Sequence, residues 1–204
     1  MNTIPFNLIT ALVFSAGLAG CVQAVIKAEK IVLVDKDGKV RAVLEVSDEG
    51  PRLRLTDENG RDRAVLRARK TDGDSDLVLM DKNGMDRVTL TAAEEGSGLI
   101  LKDKNMRDRT LLVASNEGLG LAMWDENGKE QVGLRATEAS SALVLGTWDG
   151  QSRVAFTSYT AAKKGPFLIL MDKHRSTRVA LKEVDGGSGV VLNDQNGKVI
   201  WSAP

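Results

Sequence analysis

The chain has 204 residues, and its 28 Lys and Arg against 28 Asp and Glu give a formal net charge of zero. Binding a polyanion such as nucleic acid requires an excess of Lys and Arg gathered on one face, so that function is not expected. One Cys and one His leave no intrachain disulfide framework, no thiolate zinc cage and little for proton-transfer catalysis, so no catalytic residue, metal or cofactor is assigned.

From Leu8 to Ile26 the only strongly polar side chain is Gln23, and the first charged one is Lys27. Residues 1–26 therefore read as an apolar helix, a signal peptide or membrane anchor separate from a single β-repeat domain over residues 27–204. Within it, Leu18, Ala19, Gly20 and Cys21 form a small-residue box ending in Cys that resembles the bacterial lipoprotein signal. The resemblance implies cleavage before Cys21 and lipidation of Cys21. The chain would then be held at the cell membrane or outer membrane, facing away from the cytoplasm. Met1 to Asn7 lacks the Lys or Arg that usually opens such a signal, which leaves an uncleaved single-pass anchor as the alternative. In that case Lys27 and Lys30 predict a cytoplasmic C-terminal part.

Beyond Ile31 the sequence repeats. Asp35, Asp57, Asp81, Asp103, Asp125, Thr147, Asp172 and Asp194 occupy equivalent places, spaced by 22, 24, 22, 22, 22, 25 and 22 residues, and eight copies reach the end of the chain. Each copy places two apolar runs around a short Asp/Asn-Gly element, as in the stretch from Ile31 to Leu44. Asn or Asp followed by Gly suits a type I′ turn, which needs positive φ at both central residues. Two-residue hairpins are therefore predicted at Asp37-Gly38, Asn59-Gly60, Asn83-Gly84, Asn127-Gly128, Asp149-Gly150 and Asn196-Gly197. Asn105-Met106 and His174-Arg175 lack the Gly, so those two hairpins should be the least regular.

A turn at Asp37 and Gly38 places Leu33 opposite Ala42 and Ile31 opposite Leu44, all on one face. The same four positions in eight copies make thirty-two sites, of which only Thr110 is not apolar. Turn chemistry and hydrophobicity thus select one register, and the expectation is that the hairpins pool their leucines into a common core. The residue between the two leucines of the first strand is also apolar in seven copies, as at Val32, Val78, Ile100, Ala122, Val144, Ile169 and Val191, with Arg54 the exception. This second stripe predicts cover by another layer, another subunit or a ligand.

Next to these positions lie repeated polar residues: the Asp before each turn, and Arg41, Arg63, Arg87, Arg109, Arg153 and Arg178 six residues after it. Asp is expected to accept turn amide hydrogens, and Arg to lie on the opposite face. The fold expected is all-β: eight tandem hairpins in a rolled antiparallel meander, with a β-solenoid as the alternative. The repeat resembles MORN hairpins in length and in its Asp-x-x-Gly turns, without their Tyr and paired Gly. It is also similar to the Leu-rich Asp-x-x-Gly-x-x-Arg arrays of uncharacterised bacterial membrane-attached proteins, a resemblance that implies architecture and no activity.

Among candidate sites, the Asp-x-Asp/Asn-Gly spacing fails the EF-hand pattern, because Gly falls fourth and Val46 and Ala68 fall twelfth. His174 is expected to tolerate a left-handed turn position. Trp124, Trp148 and Tyr159 come from neighbouring copies and could stack sugar rings. The functional expectation is a membrane-anchored structural or protein-interaction element, with a protein partner or further copies of itself. The alternative is a binding module for carbohydrate or another envelope polymer.

Overall fold

A computed structural model describes residues 27–146, 153–159, 166–172, 174, 176–184 and 187–204. Residues 1–26, with Cys21, lie outside the described residues, as does the expected N-terminal helix. Sixteen strands form one sheet: β1 (Lys30–Val34), β2 (Val40–Ser47), β3 (Gly50–Thr56), β4 (Asp62–Ala68), β5 (Ser75–Met80), β6 (Asp86–Ala93), β7 (Gly96–Lys102), β8 (Asp108–Ser115), β9 (Gly118–Trp124), β10 (Glu130–Ala136), β11 (Ser140–Leu145), β12 (Arg153–Tyr159), β13 (Phe167–Met171), β14 (Thr177–Val184), β15 (Gly187–Asn193) and β16 (Val199–Ala203). Strand order in the sheet is sequence order, and neighbours in the ladders run antiparallel. The meander is therefore the observed architecture, and antiparallel pairing of consecutive strands excludes the solenoid. The sheet is open, since β1 and β16 do not pair.

The hairpin loops are one residue longer than the type I′ expectation. Gly38 N donates to Asp35 O at 3.0 Å and Asp35 N to Lys39 O at 2.9 Å, while only Gly38 has positive φ, at 77°. This is a type I turn through Lys36 and Asp37 followed by a left-handed Gly, a three-residue loop. The pairing nevertheless holds Leu33 opposite Ala42 and Ile31 opposite Leu44. A β-bulge cancels the extra loop residue, because Val34 faces Val40 and Arg41 is the residue passed over. The same shift occurs at Arg63, Arg87, Arg109, Gln131, Arg178 and Ile200. Two one-residue errors of opposite sign restore the side-chain parity, so the leucines share a face as derived.

Met106 does not disturb its hairpin. It adopts φ 64° where other copies have Gly, and Met106 N still donates to Asp103 O at 3.0 Å. At the other irregular turn, His174 does not take positive φ; it occupies the third turn position, and Asp172 N still donates to Ser176 O at 3.0 Å. Arg175 and the turn at Thr147 lie outside the described residues.

The expected common core is not formed within one chain. Leu55, Leu79 and Leu101 are exposed at 45%, 39% and 37%, and the leucine rows stay open along the sheet. The reason is topological: in the described part each strand packs only on its sequence neighbours, and the described connections are too short to carry a strand back over the face. The buried apolar positions lie mostly on the other side, where Val43 is 3% exposed and Val65 and Val78 are also buried. Their cover comes from the same sheet, so the second stripe is roofed by its own charged neighbours between β2 and β6.

Candidate functional site

The dominant surface feature is the leucine face. One row runs Leu33, Ala42, Leu55, Ala64, Leu79, Val88, Leu101 and on to Trp201, and the next runs Ile31, Leu44, Leu53, Leu66, Leu77, Leu90, Leu99, Leu112 and on to Ala203. Neither row contains a charged residue. Sixteen strands spaced by about 4.8 Å make a sheet about 72 Å long, and two rows cover about 14 Å of each strand, so the face measures about 1,000 Å². The largest apolar patch on an ordinary monomer is about 300–600 Å². Toward the C-terminal end the face becomes concave, forming a cavity of about 780 Å³ lined by Leu134, Leu143, Phe156, Leu168, Leu181 and Val190.

The opposite face is laced with ion pairs, although Arg54 Nε and Arg69 Nε are buried there without a hydrogen-bond partner. Glu45 accepts from Lys30 Nζ at 3.0 Å and from Arg52 Nη2 at 2.8 Å. Arg67 Nε donates to both carboxylate oxygens of Asp76 at 2.8 and 2.9 Å, and Asp76 is 5% exposed. Arg69 Nη2 reaches Asp74 at 2.8 Å, and Arg135 closes on Glu130 at 2.8 Å. Glu45, Arg52, Arg67 and Asp76 lie on the strands and the face that carry Val43, Val65 and Val78. Paired charges thus cover this face, while the leucine face is bare.

The repeated Asp and Arg act together, a correction to their expected separation. Asp35 Oδ1 accepts from the amides of Asp37 and Lys39 at 2.9 and 3.0 Å, and its Oδ2 accepts from Arg41 Nε at 2.7 Å. Asp57, Asp81, Asp103, Asp125, Asp172 and Asp194 accept the same pair of turn amides. The bulge turns Arg back toward the Asp six residues earlier, as at Arg87 with Asp81, and Gln131 makes the equivalent bond to Asp125 at 3.0 Å. Arg also staples one hairpin to the next: Arg63 Nε donates to Met80 O at 3.2 Å and Arg109 Nε to Trp124 O at 2.7 Å. The Lys39 amide above all holds the Asp35 carboxyl below its ordinary range, and the Arg61 and Lys129 amides do so for Asp57 and Asp125. At Asp81 the leading cause is Arg87. At Asp103 and Asp172 partial burial pushes upward, but the turn amides and nearby cations outweigh it. The motif is thus a turn and bulge clasp.

Trp124 ends β9 beside the Asp-x-x-Gly turns, opposite Glu130, whereas Tyr159 ends β12 at the other rim, opposite Ser140. The sheet does not bring their backbones together, and Trp148 lies outside the described residues. No cluster of three metal-ligating side chains occurs among the described residues, and no described helix is long and apolar enough to cross a membrane.

Two features went unread in the sequence although their signals were present. The first is a second set of glycines: Gly50, Gly96 and Gly118 open β3, β7 and β9, and a Cβ on them would lie 2.2–2.5 Å from a carbonyl oxygen at the end of the other strand of the same hairpin. The signal was a Glu-Gly step at Glu49-Gly50, Glu95-Gly96 and Glu117-Gly118. The second is the charge of the two rims. In the first five repeats the Asp-x-x-Gly loops carry Lys36, Lys39, Arg61, Lys82, Lys104, Arg107 and Lys129 against Asp35, Asp37, Asp57, Glu58, Asp81, Asp103, Asp125 and Glu126, which nearly cancel. The loops at the other rim carry Asp48, Glu49, Asp72, Asp74, Glu94, Glu95, Glu117 and Glu138 against Arg69 and Lys70, an excess of six negative charges. A net charge of zero conceals this one acidic rim.

No family model matches the chain, and no curated protein matches it.

Proposed function

We propose that the chain is a membrane-anchored, extracytoplasmic β-repeat element whose role is structural, presenting its leucine face to a protein partner rather than carrying out catalysis. The observation that carries this reading is the open leucine face of about 1,000 Å², above the roughly 800 Å² that each side of a stable protein interface buries. The lipoprotein-like box at Cys21 supports the anchoring part. A ligand-binding role through Trp124, Trp148 and Tyr159 draws less support, because Trp124 and Tyr159 stand at opposite rims.

Methionine oxidation tests the covered face directly. Met123 lies in the leucine rows, while Met85 and Met106 sit in exposed turns as internal controls. In membranes from the producing cell, mild peroxide should oxidise Met85 and Met106 and spare Met123, and detergent extraction should abolish the protection. Equal oxidation of all three in the membrane would refute the reading. The intact mass of the membrane-purified chain tests the anchor: loss of residues 1–20 with added acyl mass is the expected result, and an unmodified full-length chain would remove the lipid.

A further inference from the structure

Among the described strands, β1 and β16 alone pair on a single side. We infer that copies of this chain join edge to edge, β16 of one copy pairing antiparallel with β1 of the next in the register that joins consecutive hairpins within the chain. The surface used is the edge, so the inference does not rest on what covers the leucine face.

An unpaired edge strand offers a row of N–H and C=O groups to another strand, and proteins that stay single blunt such edges with charge or proline. Here both edges are apolar on both faces of the sheet. β1 carries Ile31, Val32, Leu33 and Val34, and β16 carries Val199, Ile200 and Trp201, all exposed. Lys30, the one charge in these two strands, is taken up by Glu45 at 3.0 Å.

The backbone fixes which groups point outward. Val46 N donates to Glu29 O at 3.1 Å, so by the alternation of an antiparallel ladder Ile31 and Leu33 bond to β2, while Val32 points its N–H and C=O away from the sheet. Asp194 N donates to Lys198 O at 2.8 Å, so Leu192 and Val190 bond to Trp201 and Ala203, and Ser202 points outward from β16. Between hairpins, β2 meets β3 with Val43 opposite Arg54, Ala42 opposite Leu55 and Leu44 opposite Leu53. The equivalent register sets Ser202 opposite Val32, Trp201 opposite Leu33 and Ala203 opposite Ile31. Ser202 and Val32 then exchange both backbone bonds, and both leucine rows run on from one copy into the next.

Two details match β16 to β1 rather than either edge to itself. Lys39 Nζ donates to Glu58 O at 3.4 Å, Arg61 Nη1 to Lys82 O at 2.9 Å, and Arg107 Nη1 to Glu126 O, each reaching from one turn to the turn of the next hairpin. Lys198 holds this place in the last turn, and the sheet has no strand beyond β16 to receive it. Across the junction it meets Lys36 O. Internal hairpins also reach the next with an Arg, as Arg63 to Met80 O and Arg109 to Trp124 O. In the last copy that position is Ile200, the one apolar residue there among the eight copies, and it is 64% exposed. The position it meets on β1 is Val34, 58% exposed. Pairing β1 with β1, or β16 with β16, brings neither match. A head-to-tail contact of this kind is heterologous, so it propagates into an open array.

Two substitutions test the junction in the full chain. Val32→Pro and Ser202→Pro each remove an outward N–H that serves no ladder within the chain, a place where an edge strand accepts proline. Sedimentation of the purified chain in detergent is followed up to about 1 mM, the effective concentration that tethering to one surface supplies. The unaltered chain should grow beyond a dimer. Each variant alone should show no growth with concentration, and their equimolar mixture should approach twice the mass and stop, because one keeps its β16 edge and the other its β1 edge. Ser202→Pro associating by itself would mean β1–β1 pairing, Val32→Pro associating by itself would mean β16–β16 pairing, and either overturns the inference. So does an unaltered chain whose mass stays constant over the whole range. Association equal in the unaltered chain and both variants overturns the junction and leaves the covered face, which Met123 oxidation reports separately. Hydrogen exchange of the unaltered chain is free of any folding effect: the Val32 and Ser202 amides should slow as the mass rises, and amides that stay fast in the associated chain refute the pairing.

Discussion

Replacing Gly118 by Ala should cost far more stability than replacing Gly128 by Ala, although both glycines have positive φ. Gly128 has φ 77° and nothing within 4 Å of where a Cβ would stand. The left-handed conformation costs an L-residue about 1–2 kcal/mol, and the stiffer unfolded chain returns about 0.4–1 kcal/mol, so the net loss is about 1 kcal/mol. Gly118 has φ 140°, and its Cβ would lie 2.2 Å from Ala136 O and 3.1 Å from Ala136 C. Backbone cannot swing aside as a flexible side chain does. The end of β10 must move, giving up ladder hydrogen bonds worth about 1 kcal/mol each, on top of about 1–3 kcal/mol for the conformation itself. The expected loss is about 3–4 kcal/mol. In a repeat array each hairpin contacts only its neighbours, so the damage should stay local. Urea unfolding followed by far-UV circular dichroism measures the total, and hydrogen exchange should show faster amides in β8–β11 with β2–β5 unchanged. Equal losses for the two variants would refute the steric argument.

Met106→Gly should stabilise the chain by about 0.5–1 kcal/mol, because it relieves the left-handed strain at φ 64°; a lower urea midpoint would contradict this. Acid should destabilise the fold through the turn clasps. Asp35, Asp57, Asp81, Asp103, Asp125 and Asp172 have folded pKa values held below their ordinary value. Their contribution is therefore present above the unfolded value of about 3.9 and is lost as pH falls through the lower folded values. Thermal melts from pH 6 down to pH 2 should show this decline, and Asp81→Asn should reduce its steepness. Leu112 is half exposed on the leucine face. Leu112→Asp should leave far-UV circular dichroism of the purified chain native and lower its stability by about 1 kcal/mol or less, unlike a core position where an unpaired charge costs several. In membranes the same variant should abolish the protection of Met123; protection equal to that of the unaltered chain would count against the covered face.

The hairpin register was legible because two short-range rules converge on it. Turn residues mark where the chain reverses, and period-two alternation marks which side chains share a face. Even a wrong turn type left Leu33 opposite Ala42, since the bulge at Arg41 removes the residue that the longer loop adds. The bulge itself was not legible. The Arg six residues after each Asp looked like an outer-face residue, and only the backbone geometry showed it bending back to the Asp and onward to the next hairpin.

Sequence alone determined the tandem hairpins, their antiparallel neighbours and the sorting of leucines to one side, because each follows from residues within about twenty positions of one another. Whether those leucines meet a second layer is a long-range matter, decided by where the sheet goes after many strands. Among the described residues short connections keep each strand beside its predecessor, none returns across the face, and the buried side chains lie mostly beneath the charged side chains of the other surface.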